Sequence, residues 1–353
     1  MNPARMVRSP EFLNNFIYEA IVWTLAGAFF ALLRSNADEQ SLYGDISAFN
    51  LLLFIGPMGL LAAIIFGLIN TYIDRRIVYN KPFRYLIIIS LLVYTSGFIL
   101  FIIINFFRLC GITDHSPTLS HFYTYITDFN SVVFIVYMLV VSFIFTLFRQ
   151  IDKKMGRGNL WRMIRGEYYE PKEVQRTFMF MDLRSSTTIA EKLGNIQYSK
   201  FLRDCFNELA RVACYHAEVY QFVGDEVVLT WPVKSKNFKM DVIKTFVAYN
   251  ATLNARSDYF MSTYGVVPEF KAGVHSGTVT LTEVGQVKRE MAYHGDTINT
   301  AARLEAECNG LQVNILVSKA ALDALTLNDY TGLRPLGLVK LRGRVEEIEV
   351  FTI

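Results

Sequence analysis

Four long apolar stretches constrain this chain more than any other feature. They run over Phe12–Leu33, Phe49–Ile73, Arg84–Phe107 and Asp128–Phe148 of the 353 residues. Each is long enough to cross about 30 Å of hydrocarbon as a helix. The second contains LLLFIGPMGLLAAIIFGLI and the third LIIISLLVYTSGFILFIII. Helices in the core of a soluble protein are rarely apolar on every face for that long. The remaining composition follows the same division. Of 67 charged side chains (35 basic, 32 acidic), 16 fall in residues 1–148 and 51 beyond. Overall, 52% of residues are hydrophobic and mean hydropathy is +0.27. The expectation is a four-helix transmembrane domain over 1–148, multi-pass in an inner or plasma membrane. A cleaved signal peptide is not expected, because three further apolar runs follow the first and a small-residue cleavage site is lacking.

Loop charge sets the expected orientation. Arg5 and Arg8 precede the first span. Arg75, Arg76, Lys81 and Arg84 fill the second loop, and Arg149, Lys153, Lys154 and Arg157 follow the fourth span. The first loop carries Asp38, Glu39 and Asp45 against Arg34, and the third has only Arg108. Positive charge on alternate sides places both termini in the cytoplasm. Glu19 lies inside the first span. A carboxylate at that depth is a functional candidate, or else faces partner helices near the cytoplasmic end. His115 and His121 in the outer loop lack the further ligands that a metal site needs. A transport pathway would have only Glu19, Asn70 and Asn105 to build on.

Residues 149–175 form a basic linker with a breaker at Gly156–Gly158 and a short helical pattern at Leu160, Met163 and Ile164, ended by Gly166 and Pro171. It reads equally as a tether near anionic lipid or as a dimerising coupler. A net charge of +3 gives no case for nucleic acid as a partner. Cys110, Cys205, Cys214 and Cys308 form no CxxC pair.

From Arg176 the signals alternate between strand and helix. RTFMFMDL, EVYQFVGDEVVLTWP (two strands about a Gly-Asp turn), EFKAGVHSG, TVTLTEVG, VNILVS and the terminal KLRGRVEEIEVFTI read as strands. SSTTIAEKLG, IQYSKFLRDCFNELARVACYHA, Val242–Met261 and DTINTAARLEAEC read as helices. This order predicts an α+β, ferredoxin-like unit over 176–353, a sheet with helices on one face.

Asp182 and Asp225 each end an apolar strand, where a carboxylate can project into a cleft. Two such groups repel each other unless a cation lies between them. Hard oxygen donors suit Mg²⁺ or Mn²⁺ held together with a phosphate substrate. Two metals about 4 Å apart activate a hydroxyl and stabilise a leaving oxygen. Asn299 and Arg303, four residues apart, share a helix face. Such a pair is usually solvated, but it can also orient an oxygen and neutralise phosphoryl charge.

Together, FMFMDLRSST, QFVGDEVVLTWP, FKAGVHSG and YHGDTINTAARLE occur in the order and spacing of class III nucleotidyl cyclases, and residues 176–353 resemble that family. GRGNLWRMIRGEYYEP is similar to the coupling stretch of its membrane-bound members. The resemblance implies two Mg²⁺ or Mn²⁺ ions per site on Asp182, Asp225 and the Leu183 carbonyl. It gives Asn299 the ribose, Arg303 the α-phosphate and Arg342 the terminal phosphates. It also implies a homodimer whose sites are shared between subunits, and a product, 3′,5′-cyclic AMP, made from ATP with release of pyrophosphate.

The base pocket departs from the family. Gln221 stands where adenine-selective members have lysine and guanine-selective ones glutamate. Ala292 occupies the second selector position, and Thr278 replaces a phosphate-binding arginine. An amide both donates and accepts, so ATP and GTP both stay open, with ATP favoured by analogy. The alternatives are a guanylate cyclase, a diguanylate cyclase suggested by VGDEVV, and a catalytically weak membrane receptor or scaffold.

Overall fold

The computed structural model describes residues 10–35, 83–112, 116–155, 159–167, 169–209, 217–233, 241–287, 289–325 and 332–353. It divides into two compact units, Met1–Met155 and Gly156–Ile353.

The first unit contains helices α1 (Pro10–Ser35), α2 (Phe83–Ile112), α3 (Leu119–Thr127) and α4 (Phe129–Met155). Three of the four expected spans coincide with α1, α2 and α4. Within α2 and α4, Ile87–Ile104 and Val132–Asp152 are long and apolar enough to cross a membrane, whereas the apolar run of α1, Phe16–Phe30, is shorter. The expected span Phe49–Ile73, its flanking loops and His115 lie outside the described residues. Large apolar side chains face outward: Leu13, Ile17, Ile21, Leu25 and Phe29 recur every four residues along one exposed face of α1. Inside, Trp23, Tyr94, Met138 and Phe145 pack together.

Glu19, 1% exposed, belongs to this interior. Its carboxylate accepts from Trp23 Nε1 at 2.8 Å and from Tyr94 OH at 3.2 Å, and pairs with Arg149 Nη1 at 3.0 Å. It therefore faces partner helices, joining α1, α2 and α4. His121 is exposed, with Nδ1 3.1 Å from the Ser116 carbonyl oxygen.

The second unit opens with α5 (Asn159–Ile164), which ends before Gly166 at φ +66°. Its sheet comprises β1 (Lys172–Leu183), β2 (Glu218–Val223), β3 (Glu226–Pro232), β4 (Phe270–Val284), β5 (Glu290–His294), β6 (Ile315–Ser318), β7 (Arg334–Val339) and β8 (Ile348–Thr352). The strand order is β2-β3-β1-β4-β6-β8-β7, with β5 added to the far half of β4. Only β4 and β6 pair in parallel, so the sheet is mixed.

Strand alternation sorts the core into two faces. Met179, Met181, Val227, Leu229, Phe270, Ala272 and Val274 pack with α6 (Ser186–Asn207), α7 (Asp241–Asn254), α8 (Ser257–Tyr264) and α10 (Lys319–Leu325). Phe178, Phe180, Val228 and Val279 lie on the other face with Ala301 of α9 (Asp296–Glu307). The expectation of helices on one face is thus corrected: α9 covers the second face. Its buried residues, Thr297, Thr300, Ala301, Leu304 and Glu305, follow helical spacing and form a buried stripe of mixed polarity against the sheet.

Other boundaries also move. The two expected helices after β1 form one element broken at Gly194 (φ 71°, ψ 161°). The expected helix Val242–Met261 is two, α7 and α8. EFKAGVHSG and TVTLTEVG are one 15-residue strand. Strands β5 and β7 and helix α10 lie where the sequence pattern predicts no element, and of the expected terminal strand only Ile348–Thr352 is extended in the sheet.

Helix α9 lies directly on β4 at Gly273. A Cβ there would fall 2.1 Å from the Glu305 nitrogen and 2.4 Å from the Ala301 oxygen. Backbone cannot yield as a flexible side chain can, so Gly273→Ala should destabilise the second unit by at least about 1–3 kcal/mol. A denaturant titration of the full chain in detergent measures this; an unchanged midpoint would show that α9 shifts freely.

Candidate active site

The ends of β1 and β3 place the acidic residues. Gly224 (φ +63°) and Asp225 form the two-residue connection between β2 and β3, closed by the pair Val223–Glu226. Glycine at the first position supplies the positive φ that such a hairpin turn needs. Asp182 is directly opposite Glu226 on β3 and Lys271 on β4. These three side chains therefore form a row on the α9 face, beside Asp225 at the turn. Glu305 of α9 joins from above: Lys271 Nζ lies 3.3 Å from Asp182 Oδ2 and pairs with Glu305 Oε1.

Electrostatics register the crowding. Burial raises the Asp182 pKa, and the Asp225 charge raises it further, against the opposing effect of Lys271. Burial, then Glu305, Asp182 and Asp225, push Glu226 up to about 7. Burial also raises Glu305. On Lys271, burial acts downward but is outweighed by Glu305 and Asp182, so its pKa rises. Lys271 thus pairs with two of four neighbouring carboxylates, an excess of negative charge that calls for a further cation. The donor set fits Mg²⁺ or Mn²⁺, which take hard oxygen ligands and complete their shells with phosphate and water. Among the described residues, no group of three or more His, Cys, Asp or Glu is arranged to hold a metal unaided.

Around the acids the chain is held firmly. Leu183 buries its side chain in the core, leaving its carbonyl as the polar group at the strand end. Arg184 donates to the Val313 carbonyl and to the side-chain oxygens of Asn309 and Asn314. Ser185 adopts φ +55° at the entry to α6, an uncommon conformation for a residue with a side chain. Tyr198 of α6, which sequence reasoning missed, approaches the pair: burial and then the Asp225 charge push its phenol up to about 12.

Asn299 and Arg303 lie on the opposite side of α9 from its buried stripe; Asn299 is exposed and Arg303 half-buried. Within one chain they are turned away from the sheet face that carries Asp182. Arg303 Nη1 lies 4.0 Å from Asp296 Oδ1, and Arg344 Nη2 lies 3.1 Å from Asp296 Oδ2. Arg344 also donates to Thr300 Oγ1. Arg342 is exposed in the neighbouring turn, so Arg344, unremarked in the sequence, is the arginine that touches α9. Gln221 is exposed on the edge strand β2 and Ala292 half-buried on β5. Their neighbours Tyr220 and Tyr293 meet edge to face, with ring centroids 5.0 Å apart. No sequence motif signalled that aromatic contact. Thr278 accepts from Gln175 Nε2 at 2.6 Å.

A family model described as the Adenylate and Guanylate cyclase catalytic domain matches residues 168–353. The chain belongs to this family. Adenylate cyclase 2 of Rhizobium meliloti (strain 1021) is 30% identical over 220 residues, 62% of this chain and 61% of that protein. Adenylate cyclase 1 of the same strain is 28% identical over 183 residues, 50% of this chain and 27% of that protein. The chain therefore spans only part of each relative's length. A bacterial light-regulated adenylyl cyclase structure shares the fold, at TM-score 0.54 and 21% identity, covering 64% of this chain and 66% of that one.

If the acidic row takes a divalent cation, Mg²⁺ or Mn²⁺ should raise the thermal midpoint. At ten times the dissociation constant the gain is about 1.4 kcal/mol, several degrees for a unit of this size. Asp182→Asn and Asp225→Asn should each abolish the shift in differential scanning fluorimetry, and a shift that survives both would move the metal elsewhere.

Proposed function

We propose that the chain is a membrane-integral adenylate cyclase, active as a homodimer with sites shared between subunits. The observation that carries this is the strand-end pair Asp182 and Asp225, crowded by more negative charge than Lys271 balances, within a cyclase-family domain. In this reading Asp182, Asp225 and the Leu183 carbonyl hold two divalent ions. When bound, these ions activate the ribose 3′-hydroxyl and stabilise charge on the α-phosphate and the departing pyrophosphate. Asn299 orients the ribose. Arg303 neutralises charge developing on the α-phosphate. Arg342 binds the terminal phosphates, with Arg344 close to the same helix. The outward turn of Asn299 and Arg303 supports a shared site, because a second copy can then present its acidic row to them.

The apolar outer surface of α1, α2 and α4, together with the buried Glu19–Arg149 pair, supports a bilayer as the environment of the first unit. Four spans with both termini cytoplasmic, as loop charge indicates, put the catalytic unit where nucleoside triphosphates are. ATP is the preferred substrate in this reading, supported by the adenylate cyclase names of the relatives. GTP is the alternative that Gln221 leaves open.

Turnover of radiolabelled ATP and GTP by the full chain tests the activity directly. Asp182→Ala and Arg303→Ala should each reduce cyclic nucleotide formation at least about a hundredfold, as loss of a key electrostatic group does. Mixed subunits carrying one substitution each should recover part of the activity, since one heterodimer site is intact. No recovery after demonstrated subunit exchange would leave each chain with its own site.

Base choice gives a second test. Gln221→Lys should raise the ATP/GTP ratio of kcat/KM, because an ammonium only donates and adenine N1 accepts. Gln221→Glu should lower it, because a carboxylate accepts from guanine N1–H and its amino group. Each substitution should move the ratio about tenfold or more. An unmoved ratio in both variants removes Gln221 from base recognition.

A further inference from the structure

Lys271 has no role in the chemistry described so far, yet it is the most constrained cation of the acidic row. It is 6% exposed, as is Glu305. Its position is fixed twice: by the β1–β4 register, which sets it opposite Asp182, and by the close approach of α9 at Gly273, two residues along β4. The ammonium is shared between two carboxylates with different attachments. Asp182 belongs to the strand end, and Glu305 belongs to the helix that carries Asn299 and Arg303.

We propose that Lys271 is a positioning residue, a resident counter-cation that holds Asp182 in the metal-free protein and is displaced onto Glu305 when a divalent ion takes Asp182. The inference rests on the metal site proposed above. A half-buried row of carboxylates closed by the buried Glu305 is disfavoured without a cation, so the site needs a positive charge before metal arrives. A lysine suits this because its ammonium is a point charge on a flexible stem and can turn from one acid to the other. Glu305, already paired with the ammonium, retains it once Asp182 is given up to the metal. Without it, metal entry would force two cations together around Asp182.

The test is direct Mn²⁺ binding to the full chain in detergent, without nucleotide, with free Mn²⁺ followed by electron paramagnetic resonance. Lys271→Met removes the competing charge and should tighten Mn²⁺ binding about tenfold or more. Lys271→Arg keeps the charge and should stay within about threefold of the unsubstituted protein. Glu305→Gln removes the alternative partner and should weaken binding about tenfold. A general loss of negative charge would weaken it equally in a Lys271→Met background. Transfer of the ammonium instead predicts that the Glu305→Gln effect shrinks to about threefold or less there, a non-additivity that marks coupled residues. Weaker binding in Lys271→Met, or fully additive effects, would overturn the proposal. If Lys271→Met does not fold, Lys271→Gln takes its place in the same cycle, with the same non-additivity expected and additive effects overturning the proposal. Failure of the metal site itself looks different, because the unsubstituted protein would then bind no Mn²⁺ that Asp182→Asn removes.

Discussion

Helix α9 rests on β4 with no side chain between them at Gly273, and the acidic row is assembled beneath that contact. Closeness at this point lets Glu305 reach Lys271, and Lys271 reaches Asp182 because β1 and β4 pair in a register that puts them opposite. Shift the helix outward by the width of a methyl group and the lysine loses one partner. Shift the register by one residue and Asp182 turns to the other face of the sheet, into the packing of α6 and α7. The geometry of the strand-end acids is therefore a consequence of backbone packing some distance from them, not of local turn chemistry alone.

The first unit distributes polarity the opposite way. Its described helices carry Leu, Ile, Val and Phe on their outer faces and bury Glu19, Ser90, Ser142, Thr146 and Gln150 within. In water such an arrangement would expose apolar area and desolvate polar groups together, two unfavourable terms. In hydrocarbon the outer faces cost nothing, and the interior becomes the one place where polar side chains find partners. Glu19 illustrates this: Trp23, Tyr94 and Arg149 reach it from three helices. A buried ion pair contributes little net stability, since desolvation offsets attraction. It does fix which faces of α1, α2 and α4 meet, because any rotation strands a charge.

Much of this was legible in the sequence because it depends on local pattern. The strand carrying Asp182, the hairpin carrying Asp225, the helix carrying Asn299 and Arg303, and the apolar runs over α1, α2 and α4 all follow from periodicity and from motif order. What escaped was decided by tertiary contact. Strand β5 holds few strongly strand-forming residues and exists because the far half of β4 needs a partner. Helix α9 reads as a solvated helix until its Thr, Ala and Leu positions are set against the sheet, which is why one-sided helix packing was expected. Lys271 and Glu305, 34 residues apart, are unremarkable in the chain and meaningful only across the Gly273 contact. Arg344 escaped for a similar reason: it lies in the connection between β7 and β8 beside Arg342, and its reach to Asp296 and Thr300 exists only in the fold.

Helical periodicity bears on how many chains one active site requires. Asn299 and Arg303 are one turn apart on one side of α9. Ala301 and Glu305 are likewise one turn apart, about 200° further round the axis at about 100° per residue. One helix thus offers its amide and guanidinium to the outside while its carboxylate closes the acidic row inside. Both sets cannot address the same phosphate from a single chain unless the helix unpacks, and the Gly273 contact with its buried stripe opposes that. In the proposed homodimer a two-fold partner would resolve the conflict without moving anything: each chain would give its outer α9 face to the neighbour's acids and receive the same in return. Within that proposed dimer Lys271 would sit midway between the two functions of its own chain, touching the acid that serves one site and the helix that serves the other.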